Sequence, residues 1–189
     1  MRKIFSLFAL LYMSNTWAAP DLAKEMQKVF ALLQSPKFET SISMQKKVTN
    51  TFSFSLMSKA ILGKEAKKHT ADLKWFTNTL QKIVTKTVYP EAPNFFQGVK
   101  ISYEEVEKVG KNYTLLAVVM KRGEETEVLV TFSKVGKNWK IIDVAIDDES
   151  WVENIREQVS STLKKKKWSG LKRDLNKRLA DLEQKKGSK

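Results

Sequence analysis

The sequence contains no cysteine and only one histidine, and these shortages exclude several kinds of chemistry. Without cysteine the chain forms no disulfide, offers no thiolate nucleophile and supplies no sulfur ligand to a metal. His69 would need several carboxylates to complete a zinc site, and the lysine-rich stretch around it does not supply them. A glycine-rich phosphate loop, a nucleophile elbow and a Ser/His/Asp set are also missing. We therefore expect a fold that rests on packing, with no cofactor, no metal and no enzymatic activity.

Long apolar runs are scarce, and the clearest one lies at the N-terminus. Residues 4–13 follow Arg2 and Lys3 and are apolar except for one serine. A bilayer span needs about 20 residues, so this run is too short to cross a membrane. Residues 16–18 then place small side chains at the two positions that a signal peptidase reads. The pattern predicts a cleaved export signal over residues 1–18 and a mature chain from Ala19, with an uncleaved N-terminal anchor as the alternative.

Positive charge is concentrated at the C-terminus. Residues 164–189 hold 11 Lys or Arg against 3 Asp or Glu, whereas residues 19–163 hold 21 against 18. An exported protein rarely meets nucleic acid, so anionic lipid head groups or an acidic protein are the more natural partners for this basic segment. We therefore predict a partner or head-group surface at Lys164, Lys165, Lys166 and Lys167. Solvated lysines on a docked helix are the plain alternative.

The apolar periodicity changes twice along the chain. Spacings of three and four predict helices over residues 21–34, 39–48, 51–62, 70–88 and 151–163, followed by a basic helix from about residue 164. Alternation with period two, broken by short Gly-bearing turns, predicts four strands over residues 99–103, 113–120, 128–132 and 139–146. Helices, then an antiparallel meander, then helices make one α+β domain over residues 19–189.

Two of the predicted strands are apolar on both faces. Leu115, Ala117 and Val119 alternate with Leu116, Val118 and Met120. In the fourth strand a regular pleat places Ile142, Val144 and Ile146 opposite Trp139 and Ile141. Such strands need cover on both sides, which either helices alone or an enclosed apolar ligand would provide. Asp143 interrupts the fourth strand and is interpreted as solvated at an edge or paired with a cation, with a catalytic acid as the less supported reading.

Several motifs together resemble the MlaC family of periplasmic phospholipid-binding proteins, also known as auxiliary components of toluene-tolerance ABC transport. The segment from Phe52 to Met57, then Ile61-Leu62-Gly63 and a helix opening at Thr70, is similar to the middle of that family. Residues 136–144 are similar to its G-x-x-W-K-V-x-D-V strand. The helix start marked by Ser150, Val152, Asn154 and Arg156, and the later Gly170-Leu171, follow in the family's order. Ser53, Ala66, Asp148 and Ile155 depart from the usual Asp, Trp, Gly and Tyr, which indicates a divergent member.

The resemblance implies a four-stranded, NTF2-like fold and a soluble periplasmic shuttle. Such a shuttle would exchange phospholipid with an inner-membrane ABC transport complex and an outer-membrane partner, touching membranes only transiently and binding no nucleic acid. With the two-faced strands, it predicts an apolar pocket between sheet and helices, lined by Phe54, Met57, Leu80, Val84, Val118, Ile142 and Val144. Two alternatives stay open: a basic envelope-associated binding protein without a pocket, and a small NTF2-like enzyme with Asp143 as its only candidate acid.

Overall fold

The computed structural model describes residues 21–187, so the predicted export signal lies outside the described residues. The helices are α1 (Leu22–Leu33), α2 (Ile42–Thr49), α3 (Phe54–Leu62), α4 (Glu65–Lys68), α5 (Leu73–Val88), α6 (Ala92–Phe96) and α7 (Trp151–Gly187). The strands are β1 (Lys100–Val109), β2 (Asn112–Lys121), β3 (Glu124–Val135), β4 (Asn138–Ile146) and β5 (Glu149–Ser150). The predicted α+β class, with helices on either side of a meander in the sequence, is confirmed.

Side-chain caps set where the first helices begin. The Oδ1 atom of Asp21 accepts a hydrogen bond of 3.1 Å from the backbone N–H of Lys24, and Ser41 caps α2 in the same way. Ser53 caps α3, because its Oγ accepts from the N–H of Leu56 at 3.4 Å. A serine therefore serves as well as the aspartate usual in the family, since either side chain satisfies a free N–H of the first turn. Thr70 was expected to cap α5; instead it opens a 3₁₀ turn, and α5 begins at Leu73.

The sheet has five antiparallel strands in sequence order rather than the four predicted. The additional strand, β5, is only two residues long and pairs Ser150 with Ala145 and Glu149 with Ile146. It was missed because two residues carry no measurable periodicity. Its position matters nevertheless, since it leads the chain from the edge of β4 directly into α7.

A β-bulge in β4 changes which residues face the helices. Thr131 of β3 pairs with Asp143, but the next residue, Phe132, pairs with Ile141, so the ladder skips Ile142. The extra residue shifts the alternation by one position. As a result Ile141 and Val144 share the helix-covered face, although a regular strand would place them on opposite faces.

The helices cover one face of the sheet and form two clusters of buried side chains. The sheet cluster joins α1 and α2 to the covered face and includes Leu22, Phe30, Phe38, Leu115, Val130 and Ile141. The helix cluster joins α3, α5 and α7 and includes Phe54, Met57, Phe76, Leu80, Val159 and Leu171. The second face of the sheet packs against neither cluster in the described part of the chain, so the two-faced strands are not sandwiched between helices.

The long helix α7 is a hairpin around a kink. Lys167 has φ 58° and ψ −173°, which breaks the helix between two straight halves. The second half returns along α5: Lys172 Nζ lies 2.9 Å from an Asp72 oxygen near the start of α5, and Lys86 Nζ lies 3.6 Å from a Glu183 oxygen near its end. Among the described residues no helix is long and apolar enough to cross a membrane.

The hairpin is fastened at the kink by a polar and aromatic group. Asp72 accepts hydrogen bonds from Lys172 and from the indole N–H of Trp168, at 2.9 and 2.7 Å, and these bonds hold the pKa of its carboxyl below the usual range. The ring of His69 stacks on Trp168 with centroids 3.9 Å apart. His69, which lies between α4 and the 3₁₀ turn, is therefore partly buried by this stack and is not freely solvated.

Candidate functional site

An apolar cavity of about 130 Å³ lies between the covered face of the sheet and helices α1, α2, α3, α5, α6 and the start of α7. The wall it presents is entirely apolar. Apolar cavities of roughly 150 Å³ in other proteins stay dry and accept apolar guests, because water gains no hydrogen bonds inside them. The cavity is therefore suited to hydrocarbon and not to a polar substrate.

The deep end of the cavity is closed by the N-terminal helices. Its wall there consists of well-buried side chains: Met26, Val29, Phe30, Leu33, Val48 and Met57. Tyr89 also lines this region, but its hydroxyl forms a 2.7 Å hydrogen bond with Thr49 Oγ. Burial raises the pKa of Tyr89, so its hydroxyl is protonated at neutral pH. The hydroxyl of Tyr89 thus has its hydrogen-bond partner within the protein, and only the apolar part of the ring faces the cavity.

We assign the mouth to the opposite end, because its lining residues remain partly exposed. These residues come from α5, α6, β3, β4 and α7 and are Val84, Val88, Phe95, Thr126, Ile146 and Trp151. Phe95 is 50% exposed, which makes it both a wall residue and one of the exposed large apolar side chains of the described chain. Removing the exposed surface of this ring from water is favourable. An apolar guest that leaves the cavity at this end would therefore cover Phe95.

A wider groove of about 600 Å³ continues from the mouth between α5 and the two halves of α7. It shares Val84, Val88 and Trp151 with the cavity. Leu80, which we expected in the pocket, lines this groove instead and belongs to the helix cluster. These three side chains therefore connect the lining of the cavity with that of the groove.

The structure brings four of the seven predicted pocket residues together. Phe54, Met57, Val84 and Val144 line the cavity. Val118 lies on the opposite face of the sheet, because its neighbour Val119 faces the cavity and side chains alternate along a strand. Ile142 is the residue that the bulge leaves unpaired, so it does not share the face of Val144 as it would in a regular strand. Neither Val118 nor Ile142 lines this cavity.

Sequence reasoning missed the residues that take their place. On β2 and β3 these are Val119, Val128 and Val130, and on β4 they are Ile141 and Ile146. For β2 a signal was present: β1 contributes Ile101 and Tyr103 to the sheet cluster, and the register pairs them with Val119 and Ala117. An edge strand with one polar face shows by its apolar positions which face is buried. The residues that pair with these positions then lie on the buried face of the neighbouring strand, although that strand is apolar on both faces.

Asp143 has a structural role. Its carboxylate accepts hydrogen bonds from the Val152 N–H at 3.0 Å, the Ser150 hydroxyl at 2.6 Å and the Val144 N–H at 2.9 Å. A carboxylate at this place caps the start of α7 and interacts favourably with the positive end of the helix dipole. Asp143 is therefore neither a solvated edge residue nor the partner of a cation.

The lysine run lies far from the mouth. All four side chains from Lys164 to Lys167 are exposed, and Lys166 forms a 2.6 Å ion pair with Asp174 across the kink. Trp151 at the mouth and Lys164 are 13 positions apart on the first half of α7, which is about 20 Å at 1.5 Å per residue. These lysines therefore form a surface of their own and do not rim the cavity.

Fold and cavity together define an α+β protein that encloses an apolar cavity between a sheet and its helices. The chain belongs to the MlaC family, because the family model described as MlaC protein matches residues 23–177. Its fold is similar to that of a phospholipid-binding protein from Ralstonia solanacearum, solved in complex with a phospholipid, with a TM-score of 0.71 and 15% identity. That match covers 85% of this chain and 96% of the other. No curated protein matches this chain.

Proposed function

We propose that the protein is a periplasmic phospholipid shuttle that holds acyl chains in the apolar cavity and carries lipid between the inner and outer membranes. The observation that carries this proposal is the wholly apolar wall of the cavity. Membership of the MlaC family and the phospholipid bound to the Ralstonia protein support it. The groove beside α7, whose lining is mostly apolar but includes Asp174 and Arg178, adds space for a second chain.

Burial of hydrocarbon is sufficient to hold such a ligand. Each buried methylene contributes about 0.8 kcal/mol, so ten of them, divided between the cavity and the groove beside α7, contribute about 8 kcal/mol without any polar contact. Dissociation into water is correspondingly slow. Release therefore requires a docking partner, which we propose to be an inner-membrane ABC transport complex on one side and an outer-membrane protein on the other.

The basic surface from Lys164 to Lys167 is the proposed docking element. It is exposed and lies about 20 Å from the mouth along α7, so it can touch an acidic partner or an anionic membrane while the cavity stays closed. A basic envelope protein without a pocket is a poorer fit, since it would not need an apolar cavity. An enzyme is a poorer fit because Asp143, its only candidate acid, is occupied in capping α7.

Native mass spectrometry tests the proposal. The exported protein is purified without detergent, and we expect a co-purifying phospholipid or uptake of phosphatidylethanolamine from mixed phosphatidylethanolamine and phosphatidylglycerol vesicles. A protein that stays empty in both experiments contradicts the shuttle. Deleting the basic segment is not a clean control, since Leu171 and Leu175 pack in the helix cluster. Substitution of the lysines keeps that packing.

A further inference from the structure

The wall of the cavity cannot bind the phosphate of a phospholipid, because an ionised group buried without partners is strongly unfavourable. If acyl chains occupy the cavity, as proposed above, the phosphate must lie outside the mouth. A cation at the mouth would be its natural partner. Lys164–Lys167 are about 20 Å away along α7, and Lys86 is already paired with Glu183 at 3.6 Å. Arg178 lines the groove beside α7 and does not line the cavity.

Lys121 occupies the required place. It follows Val119 by two positions on β2, so its side chain leaves the sheet on the same face as this wall residue, about 7 Å further along the strand. Its ammonium donates hydrogen bonds to the backbone carbonyls of Asn94 and Phe95, at 3.1 and 2.6 Å. The same ammonium lies 5.1 Å from the centre of the Phe95 ring. Lys121 is thus held beside the exposed aromatic of the mouth.

The charge of Lys121 is not neutralised by the protein. Among the described residues no carboxylate lies within salt-bridge distance of its ammonium, although Glu124 is its partner in the β2–β3 register. An ammonium has three donors, and the two carbonyls of α6 use two of them. One donor and a full positive charge remain for an anion.

We propose that Lys121 binds the phosphate of the lipid head group at the mouth of the cavity. The inference rests on the proposed function, and it assigns a head-group contact to a residue outside the lysine-rich segment. A phosphate oxygen accepts the third donor of the ammonium in a charge-assisted hydrogen bond. Because the other two donors hold α6, the bound head group is linked through Lys121 to the helix that carries Phe95. Phospholipid is thereby preferred over a lipid with the same chains and no phosphate.

The test compares two ligands that differ only in the head group. Purified wild-type protein and the variants Lys121→Gln, Lys121→Arg and Lys111→Gln are loaded from phosphatidylcholine vesicles containing equal amounts of phosphatidylethanolamine and diacylglycerol with identical chains. Native mass spectrometry gives the ratio of the two bound lipids. Lys111→Gln is the matched control, since it removes the same charge from the turn at the far end of β2. Thermal midpoints identify any variant that fails to fold.

We expect Lys121→Gln to lower the preference for phosphatidylethanolamine about tenfold while diacylglycerol still binds, since one charge-assisted hydrogen bond is lost. Lys121→Arg and Lys111→Gln should keep the wild-type ratio. A ratio in Lys121→Gln equal to that in Lys111→Gln overturns the assignment of Lys121. Failure of every form to bind either lipid overturns the proposed function instead.

A measurement on the wild-type protein makes the inference independent of the variants. Phospholipid-loaded protein should protect the Lys121 amine from reductive methylation several-fold more than diacylglycerol-loaded protein, whereas Lys111 should react equally in both. Equal reactivity of Lys121 in the two forms overturns the proposal. Equal protection by inorganic phosphate or by glycerophosphoethanolamine without acyl chains overturns the lipid as the source of the phosphate.

Discussion

Val118 and Val119 are adjacent on β2, yet the pleat gives them different environments. Val119 is 4% exposed and lines the cavity, whereas Val118 lies on the face that no helix of the described chain covers. Both residues are valines in the same strand, so they have the same intrinsic β-strand propensity. If the same substitution at the two positions changes lipid binding differently, the difference therefore arises from the cavity and not from the strand.

Enlarging Val119 should exclude the ligand. Val119→Trp places a large ring in the apolar space and is expected to reduce lipid occupancy several-fold, at a cost of about 1–3 kcal/mol in stability from overpacking. Val118→Trp should leave occupancy near the wild-type value. Native mass spectrometry measures occupancy and urea unfolding measures stability.

The milder Val119→Phe covers the case in which the tryptophan variant does not fold. Full occupancy in both Val119 variants, or loss of lipid in Val118→Trp alone, would contradict the cavity assignment.

At the scale of elements, two local irregularities decide the site. The bulge at Ile142 rotates the second half of β4, and the kink at Lys167 folds α7 back along α5. The bulge could not be predicted from the sequence, because it depends on the partner strand. The division of α7 was predicted, since the apolar stripe over residues 151–163 ends before the lysine run and a separate basic helix follows from about residue 164. The sharp return of the second half along α5 was not predicted. The regular parts of the same elements were predicted because their apolar spacing is set by residues close in sequence.

The kink predicts opposite effects for glycine at two neighbouring lysines. Lys167 has a backbone conformation that only glycine adopts readily, so Lys167→Gly should raise the free energy of unfolding by about 1 kcal/mol. Lys165 is equally exposed but lies in regular helix, so Lys165→Gly should lower it by about 1 kcal/mol. Both variants remove one positive charge. Urea unfolding that shows the same sign for both would contradict a strained kink at Lys167.

For the whole molecule, the apolar periodicity predicted the class of fold and the order of elements, and the family resemblance predicted an apolar pocket, but neither predicted the depth of the cavity. The missed wall residues of α1, such as Met26 and Phe30, read in the sequence as an ordinary amphipathic stripe. A stripe shows that a helix packs against something without showing what, because the docking partner is more than 80 residues away in β2 and β3. The concentration of positive charge at the C-terminus, by contrast, could be counted directly from the sequence.

The separation of the basic surface from the cavity predicts that docking and ligand retention respond differently to salt. Each lysine near an anionic membrane contributes about 1 kcal/mol at low ionic strength, and salt screens this attraction. Replacing Lys164–Lys167 by Gln should weaken binding to anionic vesicles and flatten its salt dependence. Lipid already in the cavity should be retained at all salt concentrations, because apolar burial is not screened.

Vesicle co-sedimentation across a salt series, with native mass spectrometry of the same samples, measures both quantities. The variant Lys108→Gln with Lys111→Gln, at the β1–β2 turn, controls for charge removed elsewhere on the surface. An unchanged affinity and salt slope after the four substitutions would leave the lysines without a docking role.

The meander also bears on the order in which the protein folds. Successive strands are joined by two-residue turns, so the sheet closes through short loops and pays little chain entropy. The cavity, in contrast, needs Met26 and Trp151 on the same wall, and these residues are 125 positions apart. Contacts of such long sequence separation form late, since their loop entropy must be paid first. We therefore expect the sheet to form before the closed interior, and a ligand that binds only the closed form to favour the completion of folding by mass action.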